Sequence, residues 1–197
     1  MDVAKLRLSE EELRLVADPG FILTKNAIIG KVYLLFGSLA EEMRHDLKFP
    51  EEVAAISPKI SRGENYLGLP YVMLDYPRYF SKEDTMAIRT FFWWGNFFSV
   101  TLHLKGMYRN RFTERIITAQ EQLSMKKYAL AVSDEEWQHH FGTENYRPVN
   151  EFQTDEFRKY VSQHPYLKLS IAFPLLQWND MHEQIREAYI DLGKLIS

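Results

Sequence analysis

The sequence predicts a single α+β domain: a largely antiparallel sheet of about five or six strands, with helices packed on at least one face. Three observations lead there. The β-prone runs come in hairpin-linked groups rather than in strict alternation with helices, as in "IRTFFWW" and "FFSVTLHL" around Gly95-Asn96. Long segments with three-to-four apolar spacing flank them. No repeat, low-complexity tract or Gly/Ser linker divides the 197 residues, so 1–197 reads as one unit.

The elements follow in order. "SEEELRLVADPG" has Ser9 and Glu12 at capping-box spacing and ends at a Pro-Gly break. From Thr24 to Leu47, Ile28, Ile29, Val32, Leu35, Phe36, Leu39 and Met43 make a broad helical stripe, and charged Glu41, Glu42, Arg44 and Asp46 mark its exposed end. The next stretch is loop punctuated by Pro and Gly, with a short strand over Lys59–Arg62. A strand over Tyr71–Tyr76 should close at Pro77, which cannot continue a central strand.

The hairpin has a rival, because Ser81 and Asp84 have capping spacing and Ala87, Ile88, Phe91 and Phe92 fit one helical face. Aromatic and β-branched residues dominate the run and favour strands. Beyond it, Tyr108, Phe112, Ile116, Ala119 and Leu123 form a helical stripe, and "KYALAVS" is a strand. "SDEEWQHHF" reads as a short helix capped by Ser133 with Glu136 at box spacing. "TDEFRKYVSQ" is a helix, "YLKLSIAF" an alternating strand, and Met181, Ile185, Tyr189, Leu192 and Ile196 align on a terminal helix.

Hairpin loop length decides which residues share a face. A three-residue loop leaves Trp93 opposite Phe97, with Asn96 taking a left-handed conformation. Ile88, Phe92, Phe98, Val100, Leu102 and Leu104 then share one face with Thr90, while Arg89, Phe91, Trp93, Phe97, Ser99, Thr101 and His103 share the other. The remaining strands divide in the same way. Small side chains at Ala129, Ala131, Ser170 and Ala172 leave volume above the second face, for the long helix or a ligand.

That second face carries the candidate chemistry. Arg89 can grip a carboxylate or phosphate with parallel hydrogen bonds, and Lys168 adds a second cation. Asp75 and His103 can exchange a proton, or Asp75 and Arg89 can simply form a cross-strand ion pair. Trp93 can stack on a flat ligand or pack as core. In "SRGENYLG", Arg62 and Asn65 sit on a turn that could close over a pocket, although the spacing is that of no phosphate-binding loop.

Composition narrows the classes. A formal charge of −3 exerts no global pull toward nucleic acid or anionic membranes. The basic group Lys105, Arg109, Arg111, Arg115, Lys126 and Lys127 comes with no nucleic-acid-binding motif, so nucleic acid is not favoured as a partner. Without cysteine there is no disulfide, thiol catalysis or Cys-bearing zinc site. Adjacent His139 and His140 would diverge on a helix, His182-Glu183 lacks a second histidine, and neither metal nor cofactor is expected.

The charged, periodic opening does not read as a signal peptide, and "NAIIGKVYLLFGSLA" is about 15 residues, short of the ~20 needed to span a bilayer. The expectation is a soluble cytoplasmic chain, with no membrane partner and with self-association open. These features favour a binding module for a small anionic or aromatic ligand, held by Arg62, Asn65, Asp75, Arg89, Trp93, His103 and Lys168. The alternatives are a hydrolase or transferase with His103 or Asp75 as proton carrier, and a protein-interaction subunit. No motif decides whether the chain is an enzyme.

Overall fold

A computed structural model describes residues 3–197. Seven strands form one open sheet, one or two more than expected: β1 (Lys59–Tyr66), β2 (Leu69–Phe80), β3 (Thr85–Trp93), β4 (Phe97–Lys105), β5 (Ala129–Ala131), β6 (Tyr146–Pro148) and β7 (Tyr166–Pro174). Their order is β1-β2-β3-β4-β7-β5-β6, and every pairing is antiparallel. The helices are α1 (Glu10–Ala17), α2 (Pro19–Asp46), α3 (Glu51–Ala54), α4 (Gly106–Thr118), α5 (Gln120–Met125), α6 (Thr154–Gln163) and α7 (Met181–Lys194). The domain is α+β.

The three-residue hairpin loop is present, since Trp93 pairs with Phe97 and Phe92 with Phe98. The left-handed residue is Gly95, at φ +73°, rather than Asn96. Glycine takes that conformation without strain, which frees the Asn96 amide to donate to the Trp94 carbonyl at 2.8 Å. The rival helix does not form. Ser81 turns the chain between β2 and β3 by accepting from the Asp84 amide, while the Asp84 carboxylate receives the Met107 N–H at 2.7 Å and caps α4.

The two faces separate as the alternation requires. Val72, Leu74, Ile88, Phe92, Phe98, Val100, Leu102 and Leu169 are buried together with Phe36, Leu39 and Met43 of α2, Phe112 and Ile116 of α4, and Ile185, Tyr189 and Leu192 of α7. This layer of helix on sheet is the core, and it leaves the second face to be covered by something else.

Three expectations need correction. β2 runs through Pro77 instead of ending there. Its register shifts between Asp75 and Arg78, and its last partner on β1 is opposite Asp75, so Pro77 lies where only β3 flanks the strand. Pro-Gly begins α2 rather than closing α1: Asp18 accepts from the Gly20 amide at 2.8 Å, and Pro19 occupies the first turn, where a missing N–H costs nothing. The helix therefore has 28 residues rather than the expected 24–47 span, and by length and composition it is apolar enough to cross a membrane. Its buried residues, Ile29, Val32, Phe36, Leu39, Ala40 and Met43, lie on the inward stripe.

The third correction lies between β5 and β6. "SDEEWQHHF" is not helical, and residues 133–145 form an irregular strap across the second face. Ser133 accepts from the Glu135 amide in a local turn, and the capping box is absent. Side chains rising from the sheet satisfy the strap's backbone groups, so helical hydrogen bonds are not required.

Candidate functional site

Register brings the polar residues of the second face into two adjacent rows. Asp75 pairs with Arg89, Arg89 with Thr101, Thr101 with Ser170, and Ser170 with Ala129. One step along the sheet, Ala87 pairs with His103 and His103 with Lys168. Alanine at positions 87 and 129 gives the long side chains beside them space to lie over the sheet.

The strap closes that space. Lys168 donates its ammonium hydrogens to the carbonyls of Glu136, at 3.1 Å, and of Gln138. Tyr66 Oη accepts the backbone N–H groups of His139, at 2.7 Å, and of His140, at 3.2 Å. Tyr166 donates to the Ser133 carbonyl. Phe141 stacks on Tyr146 at 4.7 Å, and half-exposed Trp137 lies edge-on to His103 at 5.3 Å. Neither the long helix nor an open cleft fills the volume over the small residues; the strap does.

A small void remains beneath it, about 10 Å³, lined by Phe80, Ala87, Arg89, Thr101, His103, His139 and Lys168. That is room for about one water-sized group. The lining holds an arginine, a lysine and two histidines, but no carboxylate. Asp75 is engaged outside it, gripping Arg89 at Nε (2.7 Å) and Nη2 (2.9 Å). Arg89 Nη1 is left 3.3 Å from His139 Nε2. Glu136 is likewise committed, with its two oxygens 3.0 Å from His103 Nε2 and from Lys105 Nζ. The His103 Nε2–Glu136 Oε1 contact is close but lies off the line that a good hydrogen bond needs.

Burial sets the protonation states. Desolvation, reinforced by the Arg89 charge, lowers the Lys168 amine to about 7. Desolvation also lowers both His103 and His139, the latter well below the ordinary imidazole range. His103 and Lys105 together hold the Glu136 carboxyl down at about 2. Near neutral pH the lining is thus a permanent guanidinium, a half-protonated amine and two neutral imidazoles.

Asp75, Arg89, His103 and Lys168 therefore meet as the register implies. Trp93 shares their face but is buried, donates Nε1 to the Tyr66 carbonyl at 3.1 Å and packs on Tyr66 and Phe97, so no stacking surface is open there. Arg62 pairs with Val72 and so belongs to the helix-covered side, while Asn65 accepts from the Gly68 amide in the exposed β1–β2 turn. Neither reaches the void. Four of the six basic residues of 105–127 are engaged separately: Arg109 with the Ser162 and His164 carbonyls, Arg115 with the Ser197 carbonyl, Lys126 with Asp191 and Lys105 with Glu136.

Sequence reasoning missed Phe80, His139, Glu136 and Tyr66. The available signal was "EEWQHHF", which is dense in ionisable and aromatic groups yet has no apolar periodicity. His140 diverges from His139 toward Glu144, at 2.8 Å, and among the described residues no three His, Asp or Glu side chains gather as a metal requires.

The chain matches no protein-family model and no curated protein. The chamber's own chemistry is what points to a function.

Proposed function

We propose that the protein is a binding module for a small anion, received beneath the 133–145 strap. The observation that carries this is the lining of the void: four nitrogen bases and no carboxylate around a space the size of one small group. Arg89 offers a fixed charge, and Asp75 orients it by holding the other two nitrogens. The direct hydrogen-bond partners of Lys168 are carbonyl oxygens, so an entering anion would be the first charged group in contact with its amine. The size of the void suits a halide or one oxygen of a carboxylate, and anything larger requires the strap to lift.

Binding and protonation are linked at such a site. An anion favours the charged forms of Lys168 and the histidines, so binding takes up protons and tightens as pH falls through about 7. The test is thermal unfolding with added acetate, chloride or phosphate at constant ionic strength, at pH 6 and pH 8. One of these anions should raise the melting temperature, more so at pH 6. The rise should vanish in Lys168→Met and in the charge-matched pair Asp75→Asn with Arg89→Gln, which avoids stranding a buried carboxylate. Equal stabilisation in wild type and both variants would remove the chamber from the proposal.

A further inference from the structure

We propose that the outward seam of α2, with the α1 arm beside it, is the surface through which two copies of the chain associate. This stands independently of the anion site.

Every residue from Lys5 to Thr24 is exposed, including all of α1. Eight large apolar residues between Leu6 and Leu23, and Leu34 beyond them, are 46–77% accessible. Spread over α1 and the outward side of α2, they sum to on the order of 1,000 Å² of mostly apolar surface, comparable to the about 800 Å² per partner that a standard interface takes. Between Pro19 and Ala40 the only charged residues are Lys25 and Lys31, and Lys25 is tied to Glu64 at 2.6 Å. A helix face meant for water would carry more charge.

The seam has its own grammar. Leu23, Ala27, Gly30, Leu34 and Gly37 recur at alternating spacings of four and three, the repeat by which two helices pack side by side. Gly30 and Gly37 lie inside a helix, where each costs up to about 1 kcal/mol relative to alanine. A Cβ at either would meet no atom within 4 Å, so nothing in the chain's own fold calls for glycine. Close approach of another helix does. In an antiparallel pairing about a two-fold axis near residue 32, Leu34 of one copy lies over Gly30 of the other, and Ala27 faces Gly37. The surface is complementary to itself, which is what a two-fold contact demands.

A lipid bilayer is the competing occupant, given the length and composition of α2. The far side of the same helix argues against it: Val32, Phe36, Leu39 and Met43 are buried in the sheet's core, so α2 cannot leave the domain. Between Lys5 and Asp18 the acidic Glu10, Glu11, Glu12 and Asp18 outnumber the basic Lys5, Arg7 and Arg14, so the arm has no net positive charge to draw it to an anionic lipid surface.

Sedimentation equilibrium of the full chain, with far-UV circular dichroism as a check on folding, tests this. Wild type should be dimeric. Leu34→Glu puts a charge in the seam, and Gly30→Leu fills the hole while improving intrinsic helix propensity, so the folded monomer survives in both. Each change enters the contact twice, so a hot-spot loss of about thirtyfold per site becomes about a thousandfold in the dimer dissociation constant. A wild type that stays monomeric at all concentrations would overturn the proposal, whether its arm floats free or folds back. So would a dimer unchanged in both variants, or a monomer that binds phosphatidylcholine vesicles through Leu34.

Discussion

Replacing Lys168 by methionine isolates the energetic signature of the chamber. The lysine amine titrates at about 7 in the fold, against an ordinary value of 10.5. Between those values the unfolded chain holds a proton that the native protein has lost, so native stability rises with pH and levels off only near 10.5. From pH 7 to pH 9 the gain integrates to about 2 kcal/mol, at a limiting slope of about 1.4 kcal/mol per pH unit. Methionine has similar volume but no amine, so this slope should disappear. The absolute stability at pH 7 is a poorer readout, because the variant sheds the burdened ammonium but strands the Glu136 and Gln138 carbonyls, at roughly 1–3 kcal/mol each. Urea unfolding followed by tryptophan fluorescence at several pH values from 7 to 9 measures the slope. A flat wild-type profile, or an equal slope in the variant, would refute the account of Lys168 as a desolvated amine.

Acid should destabilise the protein through His103 and His139, whose imidazoles are depressed in the fold. Unfolded histidines protonate first as pH falls through about 6.5, so stability should drop below that point, and His139→Gln should flatten the fall in the same urea titrations. Tyr66→Phe removes the acceptor for two strap amides and should cost about 1–3 kcal/mol, with faster hydrogen exchange at residues 139 and 140 as the specific check. Gly106→Ala should lower the melting temperature sharply, because φ is +60° and a Cβ there would lie 2.4 Å from the Glu83 carbonyl oxygen. Phe36→Ala should cost about 3–5 kcal/mol in chemical denaturation, since Phe36 is fully buried between α2 and the sheet.

Much of this architecture was legible because period-two alternation is a local property. The division of β3, β4 and β7 into an apolar and a mixed face needs only the hairpin register, and Trp93 opposite Phe97 supplies it. Asp75, Arg89, His103 and Lys168 could be placed together on that basis alone. His139 and Glu136 could not. Their segment has no periodicity of its own, and its shape is imposed by Lys168, Tyr66 and Tyr166, through hydrogen bonds that span 30 to 74 residues of the chain. The capping-box pattern at Ser133 is a real local preference that these distant donors and acceptors override. Pro77 misleads for a related reason: whether proline ends a strand depends on which neighbours flank it, and β1 stops short of it.

The amino-acid order thus determined by itself the layer of helix on sheet, the hairpin and the side of the sheet on which each strand residue stands, because those follow from spacing between near neighbours. Only the tertiary structure decided that a strap rather than a helix or a cleft covers the polar face, that Lys168 loses its charge near neutrality, and that half of α2 faces outward. Each of these depends on which distant groups exclude water from a given atom, and exclusion of water is a property of the assembled fold.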